Sequence, residues 1–203
     1  MGGCSSTTEG KYEDKHDNTE TQKYVGPLTP EEIHLLQTSW NDGVQADAQQ
    51  KAGLVMFVHL FKQYPEVEDI FSNFVGLVSN AVTAQKKQNV DILETLQGTD
   101  EEGYKNLAAH GLVVMMLFHK IITNLDKPGV ISQLIARTAH THRFFAGFES
   151  KHFLLMEEPF LIAVKGAIGE EKFNEELHTV YKKAISWLLH ALKEHNDGNK
   201  VVS

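Results

Sequence analysis

The sequence predicts an all-α protein, and two features of the chain carry that prediction. Apolar residues recur at spacings of three and four over most of residues 29–195, which places them along single faces of successive helices. No stretch shows the alternation of apolar and polar residues that is typical of a half-buried strand. A chain of 203 residues is also long enough to bury one sizeable core with extra segments at its ends.

A capping box over residues 29–32 predicts the start of the first helix. Thr29 is the capping residue, Pro30 takes the first helical position and Glu32 is the third. Its predicted inward face is Ile33, Leu36 and Trp40. A second helix is predicted over about residues 47–63, with an inward face of Leu54, Phe57, Val58 and Phe61. Residues 64–69 should then make a short helical turn that delivers Phe71 and Phe74.

Residues 90–98 predict a short amphipathic helix ended by Gly98, and the rest of residues 75–103 is predicted to be an extended polar loop.

Two helices in residues 104–143 organise the chain. The first places Leu107, His110, Gly111, Val114 and Phe118 on one face, and the apolar run 111–118 predicts burial most of the way round. It should end before a turn at residues 126–129. The inward stripe of the second is Ile131, Leu134, Ile135, Thr138, Ala139 and His142, and His140 falls about 200° away from His142.

The C-terminal part predicts two more helices. Ser150 is expected to cap a helix that carries Phe153, Met156 and Phe160 inward, is kinked by Pro159 and ends at Gly169. The last helix is predicted over about residues 171–195, and a polar tail follows over 196–203.

The two inward histidines, His110 and His142, suggest a metal held between two walls. A single histidine on an apolar face is more often a core residue than a ligand, but imidazole suits iron, zinc and copper. Zinc would need three or four protein ligands, and no Cys, Asp or Glu cluster joins this pair. Iron in a haem needs only one or two. The apolar slot around the pair is predicted to be Phe57, Phe71, Phe74, Leu107, Val114, Phe153 and Met156.

The order of these helices, aromatic residues and histidines along the chain resembles a globin over about residues 28–195. Trp40 resembles a residue of the family's opening helix, Phe71 its haem-stacking phenylalanine, His110 its distal histidine and His142 its iron-binding proximal histidine. Phe153 falls where globins place an apolar haem contact. The spacing of the histidines, with residues 123–124, is similar to neuroglobin.

The resemblance implies about eight helices around a haem b. It implies that Phe57 lines the distal side and Met156 the proximal floor, and that His142 binds the iron. The other ring nitrogen of His142 is expected to donate to Thr138, one helical turn earlier. His110 is expected at the sixth iron position, with direct coordination preferred over a hydrogen bond to bound oxygen. The chain departs from the family in three ways. The connection from Phe71 to His110 is much longer than usual, Thr138 stands where a leucine is usual, and Pro159 interrupts a helix.

The N-terminus predicts a lipid anchor. Residues 1–28 are polar and predict a disordered arm, and residues 1–6 fit the myristoylation pattern with Gly2 as acceptor. Cys4 could carry palmitate. Because it is the only cysteine, no internal disulfide can form, which fits a reducing compartment. No secretory signal or transmembrane run is predicted. The expected location is therefore the cytoplasmic face of a membrane, with the plasma membrane foremost. An acylated start on a neuroglobin-like body resembles globin X.

The expected function is reversible binding of oxygen or another small gaseous ligand, in redox or ligand chemistry at a membrane. One alternative is a lipid-anchored helical interaction protein without haem. Another is a nitric-oxide dioxygenase or nitrite reductase supplied by an external reductase, so whether the chain is an enzyme stays open. The net charge of −8 and the absence of a basic stripe argue against a nucleic-acid partner.

Overall fold

The computed structural model describes residues 26–71, 76–88 and 92–198. Within these ranges the chain forms nine α-helices, one 3₁₀ helix and no strand, which confirms the predicted all-α class. No helix there is both long and apolar enough to cross a membrane. Gly2, Cys4 and Phe74 lie outside these ranges. The helices are α1 (Pro30–Gly43), α2 (Ala46–Gln63), α3 (Pro65–Glu68), α4 (Leu77–Gln88), α5 (Ile92–Thr99), α6 (Glu101–Ile122), α7 (Pro128–His142), the 3₁₀ helix (Ser150–Met156), α8 (Glu157–Ile168) and α9 (Glu175–Asn196).

The predicted capping box starts α1. The Thr29 hydroxyl accepts the backbone N–H of Glu32 at 3.2 Å, and the Glu32 carboxylate accepts the N–H of Thr29 at 2.9 Å. Such a cap contributes about 1 kcal/mol to helix stability. The predicted face is buried, and the indole N–H of Trp40 donates to Nδ1 of His119 on α6 at 3.0 Å. This hydrogen bond ties α1 to the helix that carries His110.

Helices α2 and α6 cross with their backbones in contact. A Cβ atom placed on Gly53 would lie 2.5 Å from the carbonyl carbon and oxygen of Gly111. Only two glycines permit this approach, because any side chain would push the helices apart. Gly111 directly follows His110, so the crossing also sets how far His110 reaches toward the cavity described below.

One prediction for residues 75–103 is wrong. Helix α5 confirms the short helix expected over residues 90–98, but residues 77–88 form α4 instead of a polar loop. Glu68, which is 1% exposed, accepts the N–H of Val78 at 2.5 Å and the hydroxyl of Ser79 at 2.6 Å. A carboxylate at a helix N-terminus satisfies free N–H groups and complements the helix dipole. With Leu77 and Ala81 buried as well, this capping ties α4 to α3.

The central helices keep the predicted register with two corrections. Helix α6 is not buried all round, because it packs chiefly on α2 and leaves Val113 63% and Met116 44% exposed. Helix α7 begins at Pro128, inside the predicted turn, because proline suits the first helical position. His140 is exposed, while His142 on the inward stripe is half-buried.

The C-terminal helices differ from the prediction at their starts. Glu149, not Ser150, precedes the first turn, and its N–H donates to Nδ1 of His152 at 3.0 Å. That segment is a 3₁₀ helix, and α8 starts after it with Pro159 as its third residue. Proline needs no N–H partner there, so a helix boundary replaces the predicted kink. The end at Gly169 is confirmed, and Asn174 caps α9 at a later start than predicted.

Candidate functional site

A cavity of about 260 Å³ lies between the walls formed by α2, α3, α6, α7, the 3₁₀ helix and α9. Most of its lining side chains are apolar. The predicted site residues Phe57, Phe71, His110, Val114, His142, Phe153 and Met156 all line it. Leu107 does not line it and is fully buried in the core. The structure therefore brings both histidines into one apolar space.

His110 forms the α6 wall of the cavity. Its ring centroid lies 5.0 Å from that of Phe57 and 5.4 Å from that of Phe71, so two aromatic rings hold it in place. Burial, together with the nearby His142, lowers the pKa of His110 to about 4. The ring is therefore neutral at pH 7, which is the form that can bind a metal ion.

His142 is the last residue of α7 and forms the opposite wall. Its Nδ1–H donates to the carbonyl oxygen of Thr138 at 2.8 Å, which confirms the hydrogen bond predicted to the preceding helical turn. Burial lowers the pKa of His142, although this hydrogen bond acts in the opposite direction. The bond fixes the tautomer, so the lone pair of Nε2 is left for a metal ion.

An aromatic cluster that sequence reasoning missed surrounds His142. The ring centroids of Phe148 and Phe153 each lie 4.9 Å from that of His142, and Phe145 lies at 5.7 Å. Phe145 and Phe148 belong to the loop between α7 and the 3₁₀ helix, where no helical period can show which side chains point inward. The density of phenylalanine in residues 144–148 was the available signal.

Two polar lining residues were also missed. Asn106 lies one helical turn before His110, and that spacing of four could have placed it on the cavity face. His152 accepts the backbone N–H of Glu149 through Nδ1, so its neutral form carries the proton on Nε2. Leu189 and Leu192 of α9 complete the lining. The cavity thus has few polar groups, which is the general character of a cofactor pocket.

These residues fit a haem better than a metal ion held by protein alone. Among the described residues, no group of three or more His, Cys, Asp or Glu side chains could hold a metal ion. A haem needs only one or two axial protein ligands and large apolar walls. His142, with a fixed tautomer and a free Nε2, and neutral His110 would be the residues to supply such ligands, and the aromatic side chains would form the walls.

Comparisons with known proteins agree with this geometry. The family "Globin" matches residues 93–192, a segment that contains His110 and His142. An anaerobic nitrite reductase of Gossypium hirsutum is 29% identical over 89 residues, which are 43% of this chain. The matched segment spans 56% of that relative, so this chain matches little more than half of its length.

One solved structure extends the likeness to the N-terminal helices. It is the crystal structure of a hexacoordinated heme protein from an anhydrobiotic tardigrade at pH 4. The TM-score is 0.63 at 22% sequence identity, over 84% of this chain and 96% of that chain. At this identity the similarity concerns the fold.

Proposed function

From the premise that this chain belongs to the globin family and takes haem as its cofactor, we propose that it reversibly binds oxygen or another small gaseous ligand. The observation that carries the proposal is the pair of half-buried imidazoles, both with lowered pKa, on opposite walls of one apolar cavity. The haem supplies an iron centre that can bind such ligands and exchange single electrons.

The chain's own residues would bind the haem and shape the ligand site. His142 would hold the haem through Nε2, while its hydrogen bond to Thr138 keeps the ring oriented. Phe57, Phe71 and Val114 line the cavity with apolar groups, which would favour small, weakly polar ligands. His110 is placed to act on whatever occupies the sixth iron position.

We propose further that His110 itself occupies that sixth position when no external ligand is present. The support is its neutral state and its place between Phe57 and Phe71, facing the same cavity as His142. The tardigrade protein of similar fold is described as hexacoordinated, which agrees with this proposal. A ligand would then compete with His110, so its apparent affinity falls by the fraction of open iron.

Absorption spectra of the purified full chain test both proposals. The wild type should show a haem band, with a six-coordinate, low-spin spectrum when reduced and free of ligand. His110→Leu should become five-coordinate and high-spin and bind carbon monoxide faster, because it lacks the competing imidazole. His140→Ala, which changes an exposed histidine of α7, should resemble the wild type.

Two results would contradict these proposals in different ways. A five-coordinate, high-spin spectrum of the reduced wild type would leave His110 as a hydrogen-bond donor to the bound ligand only. A purified protein without any haem band would favour the lipid-anchored interaction protein instead.

For location, we propose the cytoplasmic face of a membrane, with myristate on Gly2 and palmitate on Cys4. The support is the sequence pattern of residues 1–6. One myristoyl chain binds only marginally, with K on the order of 10⁴ M⁻¹, so a second signal is needed. Three lysines against five acidic residues in the arm give no attraction to anionic lipid, which leaves Cys4 as the candidate.

Fractionation of cells that express acylation variants tests this location. Gly2→Ala should be fully released, because myristate brings Cys4 to the membrane where palmitate is attached. Cys4→Ser should be bound weakly and reversibly. Ser5→Ala, which alters neither acceptor, is the control. Full membrane retention of Gly2→Ala would show that something other than the acyl chains anchors the protein.

Nitrite reduction is a second candidate, favoured by the name of the Gossypium hirsutum relative. In that reaction nitrite takes up one electron and two protons and gives nitric oxide and water. The electron must come from an external one-electron donor. Formation of nitric oxide from nitrite without oxygen, in repeated turnovers with such a donor, would establish it. A single turnover without recycling would leave ligand binding as the function.

A further inference from the structure

Helix α7 and the loop after it present an exposed face with aromatic residues at one end. Val130 is 40% exposed, and Phe144, fourteen positions later, is 75% exposed. Arg137 and His140 lie between them, and His140 is exposed. Phe145, next to Phe144, is 52% exposed. At 1.5 Å per helical residue this surface, here named the α7 face, is about 20 Å long.

The α7 face is positive in an otherwise acidic protein. The chain has a net charge of −8, yet residues 127–148 contain no Asp or Glu and hold its only two arginines, Arg137 and Arg143. Among the described residues, Arg137 takes part in none of the ion pairs. Arg143 donates to the backbone carbonyl of His195, and the carboxylate of Asp197 lies near it.

The same face reaches the mouth of the haem cavity. Phe145 is half exposed and also lines the cavity, and its ring centroid lies 5.7 Å from that of His142. A molecule seated on Phe144 and Phe145 would therefore contact the side chain that borders the proximal histidine. Val113 and Met116, the exposed apolar residues of α6, do not line the cavity and offer no such route.

We propose that the α7 face is the docking surface for an acidic protein that carries single electrons. Exposed aromatic side chains, here Phe144 and Phe145, beside an arginine, here Arg137, are a combination that is enriched in protein interfaces. Redox encounters use small interfaces, and opposite charge steers them. This inference rests on the proposed haem function. In the electron transfer, the carrier loses one electron and the iron goes from ferric to ferrous; no bond forms or breaks and no proton moves.

An acidic protein fits the α7 face better than a membrane does. Each arginine near an anionic bilayer contributes only about 1 kcal/mol, and the bilayer would repel a body of net charge −8. Only the groups of a small partner that touch the face lie within a Debye length of it, about 8–10 Å, and they interact mainly with its local positive charge, whereas an extended bilayer also faces the acidic surface around it. Membrane binding would also leave unexplained why the face reaches the cavity through Phe145, whereas electron transfer requires such an approach to the haem.

Binding can be measured without electron transfer, because both proteins can be kept oxidised. Flavodoxin, an acidic one-electron carrier, serves as the probe, labelled with ¹⁵N and titrated with the haem-loaded full chain. The wild type should bind at low salt and lose binding at high salt. Arg137→Glu and Phe144→Ser should each weaken binding about tenfold, as expected for residues at the centre or charged rim of an interface.

Matched controls come from the exposed face of α6. Lys120→Glu makes the same change of charge, and Val113→Ser makes a similar loss of exposed apolar surface, away from the α7 face. Both should bind flavodoxin like the wild type. Reduction of the haem by reduced flavodoxin should slow in Arg137→Glu, while reduction by dithionite should not, since dithionite needs no docking surface.

Three results would overturn the inference while an intact haem spectrum leaves the proposed function standing. One is absence of wild-type binding at low salt, and another is equal binding by Arg137→Glu and Phe144→Ser. The third is binding of Gly2→Ala protein to phosphatidylserine vesicles that Arg137→Glu abolishes, which would assign the face to a membrane. Loss of the haem band in the wild type would instead defeat the proposed function itself.

Discussion

His142→Ala is expected to purify without tightly bound haem, whereas His140→Ala, two positions away, is expected to keep it. The physical reason is the orientation of the two rings. His142 lines the cavity with Nδ1 bound to Thr138, while His140 is exposed on the other side of α7. Mutating a residue that only supports a metal ligand costs about 10- to 100-fold in affinity, so loss of the ligand itself should cost more.

The measurement is the rate of haem transfer to an excess of a haem-scavenging apoprotein, followed by absorption. Transfer should be much faster from His142→Ala than from the wild type or from His140→Ala. His142→Gly with added imidazole provides a rescue, because the free base can enter the space left by the ring. Retention of haem by His142→Ala and its loss from His140→Ala would show that the α7 register is wrong.

Gly53→Ala is expected to destabilise the fold strongly although it adds a single methyl group. That methyl would lie 2.5 Å from the carbonyl group of Gly111, and both neighbours are backbone, which cannot rotate away. The helices must separate, and overpacking of this kind costs about 3 kcal/mol. For a chain of this length, a loss of that size lowers the melting temperature by about 6–12 °C.

Thermal unfolding of the haem-loaded protein measures this loss. Gly166→Ala on α8 is the matched control, because a Cβ there meets nothing within 4 Å. It should raise the free energy of unfolding by about 0.5–1 kcal/mol, since alanine favours a helix over glycine. Gly53→Ala should also change the haem spectrum, because separating α2 from α6 moves His110. Equal melting temperatures for Gly53→Ala and the wild type would refute the backbone contact.

The sequence alone was sufficient for the parts of the fold that depend on local chemistry and on helical period. The capping box at Thr29 and Glu32 is a contact between residues three apart, so a short stretch of sequence contains it. The inward position of His142 and the outward position of His140 follow from about 100° per residue once α7 is recognised. Most of the predicted cavity residues lie on such helical faces, and for that reason they line the cavity.

Local pattern was less reliable where helices begin and where one side of a helix faces solvent. The run around Val113 and Met116 is apolar, but only the packing of α6 on α2 decided which side was buried. Pro159 was predicted as a kink because the length of its helix was overestimated. A 3₁₀ turn ends before it, so its missing N–H coincides with a helix start.

What only the tertiary structure decided depends on partners that are distant in sequence or lie in loops. Helix α4 starts where it does because the buried carboxylate of Glu68, on another helix, accepts its first N–H groups. Phe145 and Phe148 reach His142 from a loop, where no period fixes side-chain direction. The approach of Gly53 to Gly111 joins residues far apart in the chain. The sequence by itself determined most of the helices, the two inward histidines and the family resemblance, because each is local or periodic. Long-range packing decided the start of α4, the phenylalanines that surround His142 and the close approach of α2 to α6.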